Sequence, residues 1–270
     1  MRKTMYHSSH RRTKSEDRLG IIFTVGAFLG IVGIVVAVVF NMITRTEIDP
    51  QTLCPIDGPP TITVVLFDRS DALSVPQQEA MRRHLHLIKE GLVEREKLVI
   101  HLVNDTANQL LTPVFSTCNP GRGEGLSYWS ANPKKIKQDW DKKFSNKVDQ
   151  VISDMLQPSS MPHSRIMESI QSVVITDFML LRDSSKKLVI VSDMLQNTPE
   201  HSQYRGITPF SAFKSSAYYR RVQTNLDGVE VKIFYVNRGA AHANHEAQHI
   251  DFWRHYFYDM GGRLTRVERL

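Results

Sequence analysis

Two stretches of the chain end an apolar run in side chains that could hold a cation or meet a ligand. They are Thr63-Val-Val-Leu-Phe-Asp68-Arg-Ser70-Asp71 and Lys187-Leu-Val-Ile-Val-Ser192-Asp193. Carboxylate and hydroxyl oxygens are hard donors. Mg²⁺ or Ca²⁺ takes several of them, and Mg²⁺ readily keeps water in the remaining positions. The same residue types also brace turns and cap helices. Position therefore decides between chemistry and architecture.

A third stretch, His245-Glu246-Ala247-Gln248-His249, has the HExxH spacing. On a helix this sets both histidines on one face, where they could bind zinc with Glu246 as general base. That is the alternative function: a membrane-anchored zinc metallopeptidase. His255 follows at the distance of a third ligand. However, Phe252 stands where the longer motif needs a turn-forming glycine, and on a straight helix His255 points about 80° away from His245. The simpler reading is a final helix that packs Phe252, Trp253, Tyr256 and Phe257 on a sheet and leaves its histidines in solvent. The sequence has no nucleophile motif, phosphate-binding glycine loop or CxxC pair. Gly121-Arg-Gly-Glu-Gly125 joins no strand to a helix and reads as a flexible loop. The chain is accordingly read as a non-enzyme.

Elements must bring the first two stretches together. Thr61 to Phe67, Lys97 to Val103, Lys187 to Val191 and Val229 to Val236 are short apolar runs bounded by polar turns, the pattern of strands buried on both faces. Helices are expected at Pro76 to Glu94, Pro133 to Leu156, Ser164 to about Leu181 with Ser164 as cap, Phe213 to Gln223, and Glu246 to Met260. Gly261-Gly262 stops the last. Residues 105 to 132 read as irregular, and Arg263 to Val267 as an edge strand. Strands alternating with helices give an α/β, three-layer, Rossmann-like, mostly parallel sheet with helices on both faces. In such sheets, ligands bind beyond the carboxyl ends of the strands, where the strand order reverses.

Layout and motif together resemble von Willebrand factor type A domains over roughly residues 61 to 267. That family builds a metal-ion-dependent adhesion site from an Asp-x-Ser-x-Ser loop after the first strand, a threonine before a helix and an aspartate after the fourth strand. Asp68 and Ser70 match the first two loop positions, and Asp193 matches the late aspartate. Ser164 sits where the threonine would fall, with Ser159 or Ser160 as alternatives. Ala72 replaces the third loop residue, while Asp71 offers an extra oxygen. The resemblance implies a degenerate site that either holds Mg²⁺ or Ca²⁺ or binds its partner without metal. It also implies an interaction module that docks a protein. A Mg²⁺-dependent hydrolase built on Asp68 fits less well, because the usual phosphotransferase loop carries a second aspartate where this chain has Ser70.

The chain of 270 residues does not read as wholly soluble. Leu19 to Thr44 contains no charged residue, and about 20 apolar residues span a bilayer as a helix. The apolar run exceeds that of a cleaved signal peptide and lacks a convincing cleavage site. A signal anchor is expected. Residues 1–18 then form a basic tail, 19–44 a transmembrane helix, 45–60 an extended linker and 61–270 the type A-like domain. The tail carries six positive and two negative charges, hence four of the net +6. Positive flanks stay inside. The expectation is a single-pass protein of the cytoplasmic membrane, N-terminus inside and domain extracytoplasmic or periplasmic, with membrane-associated or extracytoplasmic protein partners. The charge therefore belongs to a lipid-facing tail and gives no case for nucleic acid. Gly26 and Gly30 form a small-xxx-small pair that suits homo-oligomerisation through the helix. On the outer side disulfides persist. Cys54 and Cys118 are either bridged, closing a loop whose constraint contributes roughly 4 kcal/mol, or two buried thiols.

Overall fold

A computed structural model describes residues 14–43, 46–106, 109–124, 132–181, 183–237 and 246–270. The chain forms two separate units, Met1–Glu47 and Ile48–Leu270. The first contains helix α1 (Lys14–Ile43). Its Ile22–Phe40 stretch is long and apolar enough to cross a membrane, and its side chains are exposed. Gly26 and Gly30 have no neighbouring atom within 4 Å of an added Cβ.

In the second unit the described residues form one six-stranded sheet in the order β3-β2-β1-β4-β5-β6. Its strands are β1 (Thr61–Phe67), β2 (Lys97–Leu102), β3 (Phe115–Cys118), β4 (Ser185–Ser192), β5 (Val229–Tyr235) and β6 (Arg263–Arg269). All neighbours run parallel except β3, which pairs antiparallel with β2. β3 lies inside the stretch expected to be irregular. Four residues with only Phe115 and Cys118 buried carry too little pattern to read as a strand.

Alternation along the strands feeds two cores. Ile62, Val64, Leu66, Leu188, Ile190, Val231 and Ile233 face α5 (Ile166–Val173), α7 (Ala217–Val222) and α8 (Glu246–Asp259). Val65, Phe67, Leu98, Ile100, Val189 and Val191 face α2 (Val75–Gly91), α3 (Pro133–Trp140) and α4 (Asn146–Met155). This is the expected three-layer α/β arrangement. A short α6 (Phe210–Lys214) precedes α7. Two helical runs contain a π-helical turn, Asp141–Ser145 between α3 and α4 and Val174–Phe178 after α5. The first turn falls where α4 packs on α2: buried Lys89 lies 2.8 Å from both Asp149 oxygens and 2.9 Å from Ser145 Oγ.

Residues 48 to 60, expected to be an extended linker, are folded against the sheet. Ile48 bridges Pro55, and Cys118 N donates to Thr52 O at 2.9 Å. The Cys54–Cys118 disulfide fastens the segment to the end of β3. Prolines had suggested an open chain, but the covalent bond and the turn hydrogen bonds outweigh that preference. Cys118 pairs with Lys97 at the start of β2. This attachment therefore lies at the strand-start end of the parallel sheet, opposite the ends of β1 and β4.

Candidate functional site at the strand ends

The strand order reverses between β1 and β4, so their carboxyl ends form the switch point. Phe67 pairs with Val191, which sets the next residues, Asp68 and Ser192, side by side. Backbone bonding continues one step further, with Asp68 N donating to Val191 O at 2.9 Å.

The Asp68 side chain is buried and gathers three segments. Its Oδ1 accepts from Ser70 N at 2.9 Å, closing a tight turn. Its Oδ2 accepts from Ser164 Oγ at 2.9 Å and from Ser192 Oγ at 2.8 Å. Burying a carboxylate is costly unless donors replace its water, and here three do. Ser164 is placed by a reciprocal backbone pair with Asn197: Ser164 N donates to Asn197 O at 3.0 Å, and Asn197 N donates to Ser164 O at 2.8 Å. Its hydroxyl therefore serves Asp68 and does not cap α5, whose N-cap position is Arg165. This corrects the capping expectation.

Asp193 is also buried, and its Oδ1 accepts from Leu195 N at 3.0 Å. Ser192 Oγ accepts from Met194 N at 2.7 Å. Met194 adopts φ 61°, in the left-handed region that residues other than glycine rarely occupy. The turn after β4 is thus strained and hydrogen-bonded at the site. Ser70 Oγ is buried without a hydrogen-bond partner, while Ser70 O accepts from Met161 N at 3.0 Å. Asp71 is exposed at the rim, and its Oδ2 accepts from Tyr204 Oη at 3.3 Å. Ser192 is the member of this cluster that sequence reasoning did not assign to the site. The signal was present, because it stands beside Asp193 at the end of an apolar strand just as Asp68 does.

The donor set can be tested against a cation. Among the described residues, no three His, Cys, Asp or Glu side chains gather in a metal-holding group. The residues at the strand ends offer two carboxylates and three hydroxyls, from Asp68, Asp193, Ser70, Ser164 and Ser192, of which Asp68, Ser164 and Ser192 are in direct hydrogen-bond contact. Ser164 and Ser192 spend their protons on Asp68, and Ser70 Oγ has an unspent lone pair. Hydroxyl and carboxylate oxygens with water filling the rest suit Mg²⁺ or Ca²⁺, not a soft metal.

The HExxH segment behaves differently. His245 lies outside the described residues. His249 is buried, not solvated as expected. Its Nδ1 lies 3.0 Å from Tyr235 Oη. Its Nε2 lies 3.0 Å from Trp253 Nε1, 3.1 Å from Met194 O and 3.2 Å from Gln203 Oε1. Burial first, then the charges of Asp193 and Glu246, push the Tyr235 phenol up to about 12, so it stays an O–H. Glu246 pairs with Arg269. His255 is exposed and stacks on Phe210 with ring centres 5.9 Å apart. Both nitrogens of His249 thus meet protein groups. The aromatic face of α8 explains this burial, because Trp253 one turn on brings His249 inward with it.

No family model matches this sequence, and no curated protein matches it. Several solved structures share similarity with it. One is a von Willebrand factor type A protein from Catenulispora acidiphila, 10% identical over 79% of this chain and 39% of that chain, with a TM-score of 0.41. Another is BatB from Bacteroides thetaiotaomicron, a conserved hypothetical protein, 10% identical over 78% and 90%, TM-score 0.38. A third is proximal thread matrix protein 1 from the mussel byssus with a zinc-occupied MIDAS motif, 14% identical over 78% and 41%, TM-score 0.38. The chain thus spans about two-fifths of the first and third of these proteins. The α/β class rests on the strand order and register described above.

Proposed function

We propose that this chain is a single-pass, membrane-anchored interaction module that docks a protein partner through the strand-end face of its α/β domain. The observation that carries this reading is the buried Asp68 carboxylate at the switch point. It is held by Ser164 and Ser192 from distant segments, with the unpartnered Ser70 hydroxyl beside it. Asp68, Ser70, Asp71, Ser164 and Asp193 make up the contact site. Mg²⁺ or Ca²⁺ is the cofactor its oxygens fit, and a partner carboxylate completes the ion's coordination. Asp71 and Tyr204 form the rim that meets the partner's surface. The chain performs no catalysis in this account.

Ile22–Phe40 supplies the anchor. By the charge bias of its flanks the N-terminus stays in the cytoplasm and the domain lies outside, in a compartment that preserves the Cys54–Cys118 bond. Gly26 and Gly30 open a face on which a second copy of the helix can pack.

The test is crosslinking followed by affinity purification of the full chain from membranes, comparing the natural sequence with Asp193→Ala. The reading expects a discrete crosslinked protein that disappears in the variant while the variant retains its thermal transition. Unchanged crosslinks in a folded Asp193→Ala protein would remove the strand-end face from docking.

A further inference from the structure

The domain carries a second exposed surface at the strand-start end, opposite the candidate site. Leu180 is 85% exposed, and Met179 and Ile56 are each 61% exposed. They come from two segments joined side by side. Ser185 N donates to Pro60 O at 3.0 Å, Ser184 Oγ donates to Pro59 O, and a Cβ on Gly58 would lie 3.8 Å from the Leu181 side chain. Met179 and Leu180 form the turn that follows the π-helical turn Val174–Phe178, and Leu181 N donates to Phe178 O at 3.2 Å. Hydrogen bonding at the base of this turn holds its two apolar side chains outward. Large apolar groups raised on a turn are costly in water. They are also the groups that gain most from the boundary between headgroups and acyl chains.

The occupant follows from chain length. Helix α1 ends at Ile43, and the domain begins at Ile48. Five residue steps reach at most about 17 Å. If Ile22–Phe40 crosses a bilayer, the segment bearing Ile56 starts within that reach of its surface. A soluble protein partner would have to compete with a lipid surface tethered permanently at this distance.

From this we infer that the Met179–Leu180 turn and Ile56 insert into the interfacial layer of the membrane, making the strand-start end of the domain a lipid-docking surface. This rests on the anchoring part of the proposed function. It also deepens it, because β1 spans seven residues. At about 3.3 Å per residue, the strand-end site is then displaced about 20 Å further from the lipid and presented to a partner in the aqueous compartment.

The described cysteines are both in the disulfide, so single introduced thiols can be labelled selectively. Leu180→Cys, Val32→Cys and Val75→Cys variants of the full chain, each carrying an environment-sensitive fluorophore, would be reconstituted into phosphatidylcholine nanodiscs with and without nitroxide-labelled lipid. Val75 opens α2 just beyond the end of β1 and is exposed, so it reports on the opposite end of the sheet. We expect the Val32 and Leu180 probes to be quenched at least twofold and the Val75 probe to change by less than a tenth. Quenching at Val32 with none at Leu180 overturns the lipid-docking surface and leaves the anchor intact. No quenching at Val32 overturns both. Equal quenching at Val75 and Leu180 overturns the assignment of a defined lipid-facing end.

Discussion

Replacing Asp68 by Asn would test whether one carboxylate ties together three distant parts of the domain. The two side chains have nearly the same shape, so packing is preserved. In the natural protein, Oδ1 accepts one backbone N–H and Oδ2 accepts two hydroxyls, from residues 96 and 124 positions away. An asparagine can keep the Ser70 N–H bond through its own oxygen. Its NH₂ group then faces Ser164 and Ser192 and can only donate. Both hydroxyls must rotate, and Ser192 Oγ already accepts from Met194 N. Two charge-assisted bonds are lost, each contributing about 1.5–3 kcal/mol, with partial recovery as the amide donates back. The expected net cost is about 2–4 kcal/mol. For a unit of this size that lowers the midpoint of thermal unfolding by about 5–15 °C. The assay is scanning fluorimetry of the full chain in detergent, with Ser164→Ala and Ser192→Ala measured alone and combined with Asp68→Asn. Strongly non-additive costs are expected because the three side chains form one network. A midpoint within about 1 °C of the natural protein would refute the reasoning, since the carboxylate would not then be carrying those bonds.

Other consequences follow from single groups. Cys54→Ser with Cys118→Ser should remove roughly 4 kcal/mol by the loop-closure argument, read as a lower denaturant midpoint together with slower non-reducing gel migration; an unchanged midpoint would show the 48–60 segment is held by its hydrogen bonds alone. His249→Ala should cost about 2–4 kcal/mol by leaving a cavity and taking from the buried Tyr235 hydroxyl its His249 partner, while Trp253 Nε1 keeps Met194 O and Gln203 Oε1 keeps Gln196 N. Elemental analysis of the natural protein should find no stoichiometric zinc, and one zinc per chain lost in His249→Ala would restore the peptidase. His201 is held below its ordinary value of 6.5, chiefly by burial and against the opposing charge of Glu168. The unfolded chain therefore binds its proton at a higher pH than the folded one, so the contribution of neutral His201 is complete above about pH 7 and declines as pH falls through 6.5. His201→Asn should flatten the loss of stability between pH 7 and 5, and an unchanged slope would contradict that assignment.

Much of the architecture could be read from local pattern. The runs ending at Phe67 and Val191 are apolar on both faces, as central parallel strands must be, and β4 extends by only a few polar residues beyond the expected bounds. Asp68 and Asp193 follow directly after adjacent parallel strands, so strand order by itself sets their backbones at one end of the sheet. Side-chain commitments were less legible. Ser164 has the local context of a cap, and only the pairing of residues 164 and 197 turns its hydroxyl toward Asp68. β3 and the fold of residues 48–60 depend on each other through the disulfide, a contact 64 positions apart that no window of sequence contains. The aromatic stripe that carries Trp253 inward carries His249 with it one turn earlier, a spacing the sequence contains, but its hydrogen-bond partners Tyr235 and Met194 lie on other elements and are not legible locally.

The central claim is that the strand-end oxygens form a cation-completed docking site, and calorimetric titration of Mg²⁺ and Ca²⁺ into the full chain tests it most directly. The account predicts saturable binding of one ion per chain, weakened at least tenfold by Ser70→Ala, whose hydroxyl has no protein partner to lose, and abolished by Asp193→Ala. Absence of binding by either ion, or binding that Ser70→Ala and Asp193→Ala leave unchanged, would contradict it.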